Sequence, residues 1–259
     1  MSAGDLPRLP TAIGWSTADS ITVAGRDLPA EIMGRLSLTE LAYLLLTRRE
    51  PDEHERRMLD AVLVSLADHG LTPSALAARL TYTGAPESPQ GAIAAGLLGA
   101  GSVFLGPAGD TAQVLAAALA GRAATTDDEL QAIAGEIVAA RRTAGERVPG
   151  LGHPVHRVED PRTPRLYQLA EEEGLLGRHL LLLTAVADAH AAAAGRRLPI
   201  NGAGAAGAAL LDVGVPAGSV RGFVLIARTA GLVAHLAEEA EDPIGPRLWH
   251  EAEERSQPS

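Results

Sequence analysis

The chain has 259 residues, 46% of them apolar, enough to bury the core of one large domain or two small ones. Aromatics are only 3%, the formal net charge is −10 and no basic run exists, which argues against a nucleic-acid surface. Cysteine is absent, so disulfides and thiolate metal sites are excluded and a reducing compartment fits. Residues 1–10 lack the basic-then-apolar order of an export signal, and the apolar run 180–186 is too short to span a bilayer, so the expectation is a cytoplasmic chain with no membrane partner.

Residues 1–10 carry two prolines and no periodic pattern, which reads as a loose tail. Residues 11–26 contain β-branched positions and suit a short hairpin or extended arm. Ser37 and Glu40 have the spacing of a capping box and predict a helix over 39–48. Pro51 is expected in the first turn of a second helix, whose apolar face is Met58, Val62, Leu63 and Leu66. Gly70 should end that helix, and Thr72-Pro73 should start the next. The stretch 84–106 is rich in Ala, Gly and Leu. Gly91, Gly96 and Gly99 cost about 1 kcal/mol each against Ala inside a helix, which makes sense if helices approach closely there. Thr126 and Glu129 form a second capping box for a helix to Arg142. Thr163-Pro164 predicts a helix over 165–173, followed by long helices over 178–194 and 219–239. Gly202, Gly204 and Gly207 match G-x-G-x-x-G, but no strand precedes them, so the pattern predicts tight helix packing and not a dinucleotide site. The fold class is therefore all-α.

Chemistry concentrates in residues 148–162, VPGLGHPVHRVEDPR. His153, His156, Arg157, Glu159, Asp160 and Arg162 fall within ten positions, on a backbone stiffened by prolines and bent by glycines. Arginine forks onto carboxylates and phosphates, so such a loop suits an anionic ligand, while the plain alternative is a polar surface loop. Arg228 stands among Ile, Ala and Leu on a long helix, where a guanidinium calls for an anion. His69 by itself reads first as a helix C-terminal histidine, favoured by the dipole. His179, His190 and His235 read as packing residues. No metal is expected, because oxygen-rich clusters at ligand spacing are lacking and Asp188 and His190 do not share a helix face.

The loop GHPVHRVEDPR resembles the citrate synthase superfamily pattern G-H-x-V-x-x-x-x-D-P-R. Other stretches match in order: LTELAYLLLTRR (38–49), LADHGLTPSALAAR (66–79), APESPQGA (85–92), PGLGHP (149–154) and IARTAGLVAH (226–235). The chain is similar above all to the short citryl-CoA lyase group. That resemblance implies a citrate synthase-like all-α fold, with a large helical domain (1–106 and 201–259) enclosing a smaller one (107–200) and substrate between them. It implies a homodimer that makes or breaks a carbon–carbon bond between an acyl-CoA such as acetyl-CoA and a 2-oxo acid such as oxaloacetate. No cofactor is bound permanently; the coenzyme A thioester is a substrate. By position, His69, His153, Arg162 and Arg228 would bind the oxaloacetate or citrate-like polycarboxylate. His153 would also take the proton of the tertiary hydroxyl, and Arg196 and Arg197 would reach the coenzyme A phosphates.

Two positions depart from the family. Gly106 stands where the family has the histidine that stabilises the enol, and Ala203 stands where it has the catalytic carboxylate. Gly245 likewise replaces an arginine that reaches the partner subunit, with Arg247 retained. Asp110 and Glu87 are nearby acids with no assigned role. Three readings stay open: an active lyase or synthase with replaced groups, a silent protein that binds coenzyme A or a polycarboxylate, and a relative acting on another thioester.

Overall fold

Local capping bonds set most of the helix starts. In the structure, a computed structural model that describes residues 9–124 and 126–256, Ser37 and Glu40 exchange both capping-box bonds and open α1 (Leu38–Thr47). Asp52 and Glu55 do the same for α2 (Glu53–Ala67), so Pro51 lies just ahead of the cap and not in the first turn. Thr126 and Glu129 open α6 (Asp127–Ala144). The remaining helices are α3 (Pro73–Gly84), α4 (Pro89–Ala100), α5 (Gly106–Leu119), α7 (Arg162–Glu172), α8 (Arg178–Ala194), α9 (Gly202–Asp212), α10 (Val220–Glu241) and α11 (Gly245–Ser256). A π-helical turn, Gly101–Leu105, joins α4 to α5. Helix α7 begins three residues earlier than expected, because Thr163 N already donates to Asp160 O at 3.0 Å and Pro164 is tolerated in a first turn.

The fold is all-helical apart from a small sheet near the start. Strands β1 (Gly14–Ser16), β2 (Ile21–Val23) and β3 (Arg26–Asp27) pair antiparallel in chain order, with Gly14 opposite Val23 and Val23 opposite Arg26. The expected hairpin thus gains a third strand. Of the expected loose tail, residues 1–8 lie outside the described residues.

One apolar cluster runs from Tyr43 and Met58 through Leu115, Ile133, Leu166 and Leu183 to Leu210 and Phe223. It takes in residues on both sides of positions 106 and 200. A smaller cluster joins Ala78, Ala92, Leu232 and Leu236. Helix α9 lies at the centre: Gly202–Leu210 are all buried, so the helix is surrounded and carries almost only Gly and Ala. A Cβ on Gly204 would lie 2.5 Å from Gly150 Cα, and one on Gly207 would lie 2.3 Å from Ala108 O. Those glycines serve backbone-to-backbone packing, as the pattern predicts. Gly96 and Gly99 likewise meet neighbours, Leu232 and Ala77, at 2.8 and 3.0 Å, whereas Gly91 meets only Ser88, its helix's own cap.

Two stretches, Pro89–Leu119 and Ala217–Glu241, are long and apolar enough to cross a membrane by length and composition. The sequence reading passed over both. Their small residues seat neighbouring helices here: a Cβ on Gly231 would lie 2.0 Å from Ala67 O, and α10 also buries Arg228 and Glu239.

Candidate active site

The loop between α6 and α7 is clamped to the start of α9. Gly152 N donates to Pro199 O at 2.7 Å, Asn201 N to Gly150 O at 2.9 Å, and Asn201 Nδ2 to Gly152 O at 2.9 Å. Gly150 and Gly152 have φ of +82° and +80°, which L side chains rarely adopt. Asn201 then caps α9, its Oδ1 accepting from Gly204 N at 2.8 Å. The loop is thereby tied to the helix N-terminus.

Asp160 is the hidden centre of this junction. It is fully buried, and its carboxylate accepts from Arg162 Nε at 2.9 Å and Arg162 Nη2 at 2.8 Å. Oδ2 also takes the Gly202 amide at 2.7 Å. Burial alone would raise its pKa, but these donors and the Arg162 charge outweigh it and hold the carboxyl far below the usual range. Arg162 is thus fixed in position, and a Cβ on Gly202 would fall 2.4 Å from its Nε.

His69 follows the end of α2 and arrives from the other side. Its ring centroid lies 5.3 Å from that of His153 and 5.4 Å from that of His156, and the latter two rings stack at 4.5 Å. His69 Nε2 faces His156 Nε2 at 3.3 Å. Burial first, then the positive charges of Arg162 and Arg228, holds His69 below the ordinary histidine pKa, with Asp160 opposing them. His153 is lowered too, by burial first, with Asp160 opposing the shift. Arg228, on α10, is only 5% exposed, and its Nε and Nη1 are buried without a hydrogen-bond partner. Burial pushes its pKa down, against the pull of Asp68.

The structure therefore gathers His69, the His153–Arg162 loop and Arg228 from three separated segments. It does not gather Arg196 and Arg197, which are exposed beyond α8, with Arg197 paired to Asp188. The geometry also corrects the expected role of His153 as base. Its Nδ1 accepts from Val155 N at 3.1 Å and His156 N at 3.0 Å, so the proton resides on Nε2 and the ring offers a donor to the pocket. Ala203 is buried on α9, and Asp110 Oδ2 would lie 3.5 Å from a Cβ on Gly106. Glu87 is exposed.

The sequence names His156 and Asp160 in the loop without giving either a role, and does not single out Asn201 or Gly202 as site residues. Asp160 carried a signal, since a carboxylate two residues before an arginine can reach it. The partners of His156 and Gly202 were not legible, because they are 87 and 42 positions away. The expectation of no metal rested on oxygen ligands and on the Asp188–His190 pair, yet nitrogen atoms of His69, His153 and His156 lie within 4.8 Å of one another. With Nδ1 of His153 occupied as an acceptor, its Nε2 carries a proton and no free lone pair. The three rings therefore do not fit a common ion, and Arg228 nearby opposes a cation further. Elsewhere, His179 and Asp212 bond at 2.7 Å, while His235 bridges Asp68 at 2.8 Å and Arg79 at 3.1 Å, as expected of packing residues.

Comparison with known proteins agrees with this layout. The family described as citrate synthase, C-terminal domain, matches residues 8–249. The citryl-CoA lyase structure from Hydrogenobacter thermophilus is 31% identical, with a TM-score of 0.79, over 89% of this chain and 86% of that one. ATP citrate lyase from Methanothrix soehngenii, solved with citrate and coenzyme A, shares the fold at 22% identity and a TM-score of 0.72, over 92% of this chain and 40% of that one. The chain spans about half the length of the curated relatives it matches: 55% of a Mycobacterium tuberculosis protein 29% identical over 218 residues, and 45% of a citrate synthase-like protein of Phoma sp., with 82% and 83% of this chain covered.

Proposed function

The chain belongs to the citrate synthase family, and from that premise we propose that its pocket binds a citrate-like polycarboxylate and makes or breaks the bond joining an acetyl-CoA unit to oxaloacetate. The observation that carries this reading is Arg228, a buried guanidinium with Nε and Nη1 unpartnered beside a second arginine and three imidazoles. A charge held out of water needs a counter-charge, and a bound carboxylate supplies it. Arg162, held rigid by Asp160, offers a second cationic edge. The Nε2–H of His153 donates to the ketone oxygen of the 2-oxo acid, or to the tertiary hydroxyl of the citryl thioester, and polarises it.

A silent binding protein is the second reading. It is favoured by Gly106 and Ala203, which bring no titratable group where the family has its histidine and carboxylate. The coenzyme A thioester is a substrate in the first reading and a ligand in the second. A homodimer fits both, since Leu98, Val103, Phe104 and Val233 expose apolar surface on neighbouring parts of α4, the π-helical turn and α10. Calorimetric titration with citrate, oxaloacetate and coenzyme A, followed by assay of citryl-CoA cleavage, tests the proposal. Binding with cleavage supports the enzyme, binding of citrate or coenzyme A without cleavage supports the silent protein, and absence of both carboxylate and coenzyme A binding refutes both.

A further inference from the structure

The pocket's ionisable side chains are not equally free to move a proton. Asp160 is locked between Arg162 and the Gly202 amide. Asp68 gives Oδ1 to His235 Nε2 at 2.8 Å and Oδ2 to Gly70 N at 2.8 Å. Arg162 and Arg228 stay charged. His153 has its Nδ1 closed by two backbone amides and serves as a fixed donor. That leaves His69 and His156, whose Nε2 atoms face each other at 3.3 Å with ring planes at 88°. Facing imidazole nitrogens so placed share one proton: one holds it and the other offers its lone pair. Both rings are half-buried and both lie beside the His153 ring, so the pair borders the place where the hydroxyl or ketone oxygen is held.

We propose that His69 and His156 form the proton-transfer pair of this pocket, taking over from the groups absent at Gly106 and Ala203. The proposal rests on the citryl thioester reading above. In the cleavage direction, an imidazole lone pair of the pair accepts the proton of the tertiary hydroxyl. The oxygen's electrons form the ketone C=O as the carbon–carbon bond breaks, and the bond's electron pair becomes the thioester enolate. The imidazolium then returns the proton to the enolate carbon. The products are the 2-oxo acid and the acetyl thioester, and nothing else is consumed.

The test uses the full chain with citryl-CoA. His156→Gln should lower kcat by roughly 100-fold or more, the usual worth of a placed acid–base group. Citrate should bind as before, and added imidazole should restore part of the rate to His156→Ala. Several results would overturn the proposal: His156→Gln turning over like the native chain; parallel losses of kcat and citrate affinity; the same kcat loss in Asp110→Asn; or turnover removed by EDTA and restored by Zn2+. A native chain that binds citrate and never cleaves also overturns it while leaving the pocket intact. A chain that binds no citrate sinks the pocket reading itself.

Discussion

Asp160 grips Arg162 with both oxygens, at 2.9 and 2.8 Å, although the two residues are only two positions apart. The chain has to turn tightly to permit this, and it does so at the start of α7, where Arg162 N also donates to Asp160 Oδ1 at 3.2 Å. The same carboxylate anchors α9 through Gly202, so one buried acid ties the pocket's arginine to the central helix. Asp160→Asn keeps the shape but leaves Arg162 half-buried without its counter-charge. Loss of one partner of such a pair costs about 3–5 kcal/mol. Denaturant unfolding should show a loss of that order; an unchanged midpoint would contradict the anchoring role.

The same residue should shape the acid limb of stability. Its folded pKa lies below the unfolded value, so its contribution is complete above that value, about pH 4, and is lost as pH falls through the folded pKa. Glu239 and Asp68 are also lowered, net of the burial that opposes the shift, and add to the slope. Unfolding free energies measured downward from pH 5 should therefore fall less steeply in Asp160→Asn than in the native chain, without becoming flat.

Arg228 should show opposite effects on stability and binding. Arg228→Met removes a buried cation with unpartnered nitrogens, so the unliganded chain should gain about 1–3 kcal/mol and melt higher. Citrate affinity should fall by about 2 kcal/mol, roughly 30-fold, with the charged hydrogen bonds gone. A lower melting temperature would mean that the guanidinium is satisfied without ligand.

The central glycines should separate site from scaffold. A methyl group at Gly202 strikes the Arg162 guanidinium, 2.4 Å from Nε, and would push it off its place in the pocket, so Gly202→Ala should weaken citrate binding more than it lowers the melting point. A methyl group at Gly207 strikes the Ala108 carbonyl at 2.3 Å, backbone against backbone, so Gly207→Ala should destabilise by about 1–3 kcal/mol. Melting curves and titrations on the two variants decide the matter, and equal effects would remove the distinction.

Ala203→Asp restores a carboxylate at the second residue of α9, where the helix dipole favours negative charge. If the site retains the family's geometry, this variant should cleave citryl-CoA faster than the native chain. No gain in a folded, citrate-binding variant would show that the site has diverged beyond that single residue.

Where one stretch of chain contains both partners of an interaction, the sequence was enough. The capping boxes at Ser37 and Thr126 and the limits of α8 were legible because their bonds close within a few residues. Pro51 and Thr163-Pro164 misled although the bonds that displaced them are just as local: Asp52 and Asp160, one position later and three earlier, made better helix-starting bonds. The family's order of motifs likewise placed His69, His153, Arg162 and Arg228 on one list before any fold was visible.

Only the tertiary structure decided what those residues are free to do. The amides beneath His153 make it a donor, the neighbour facing His69 is an unforeseen histidine 87 positions later, and Gly202 must be glycine because Arg162 lies across it. The physical reason is that a side chain's charge, tautomer and space are set by whatever packs against it, and in this pocket those neighbours come from distant parts of the chain.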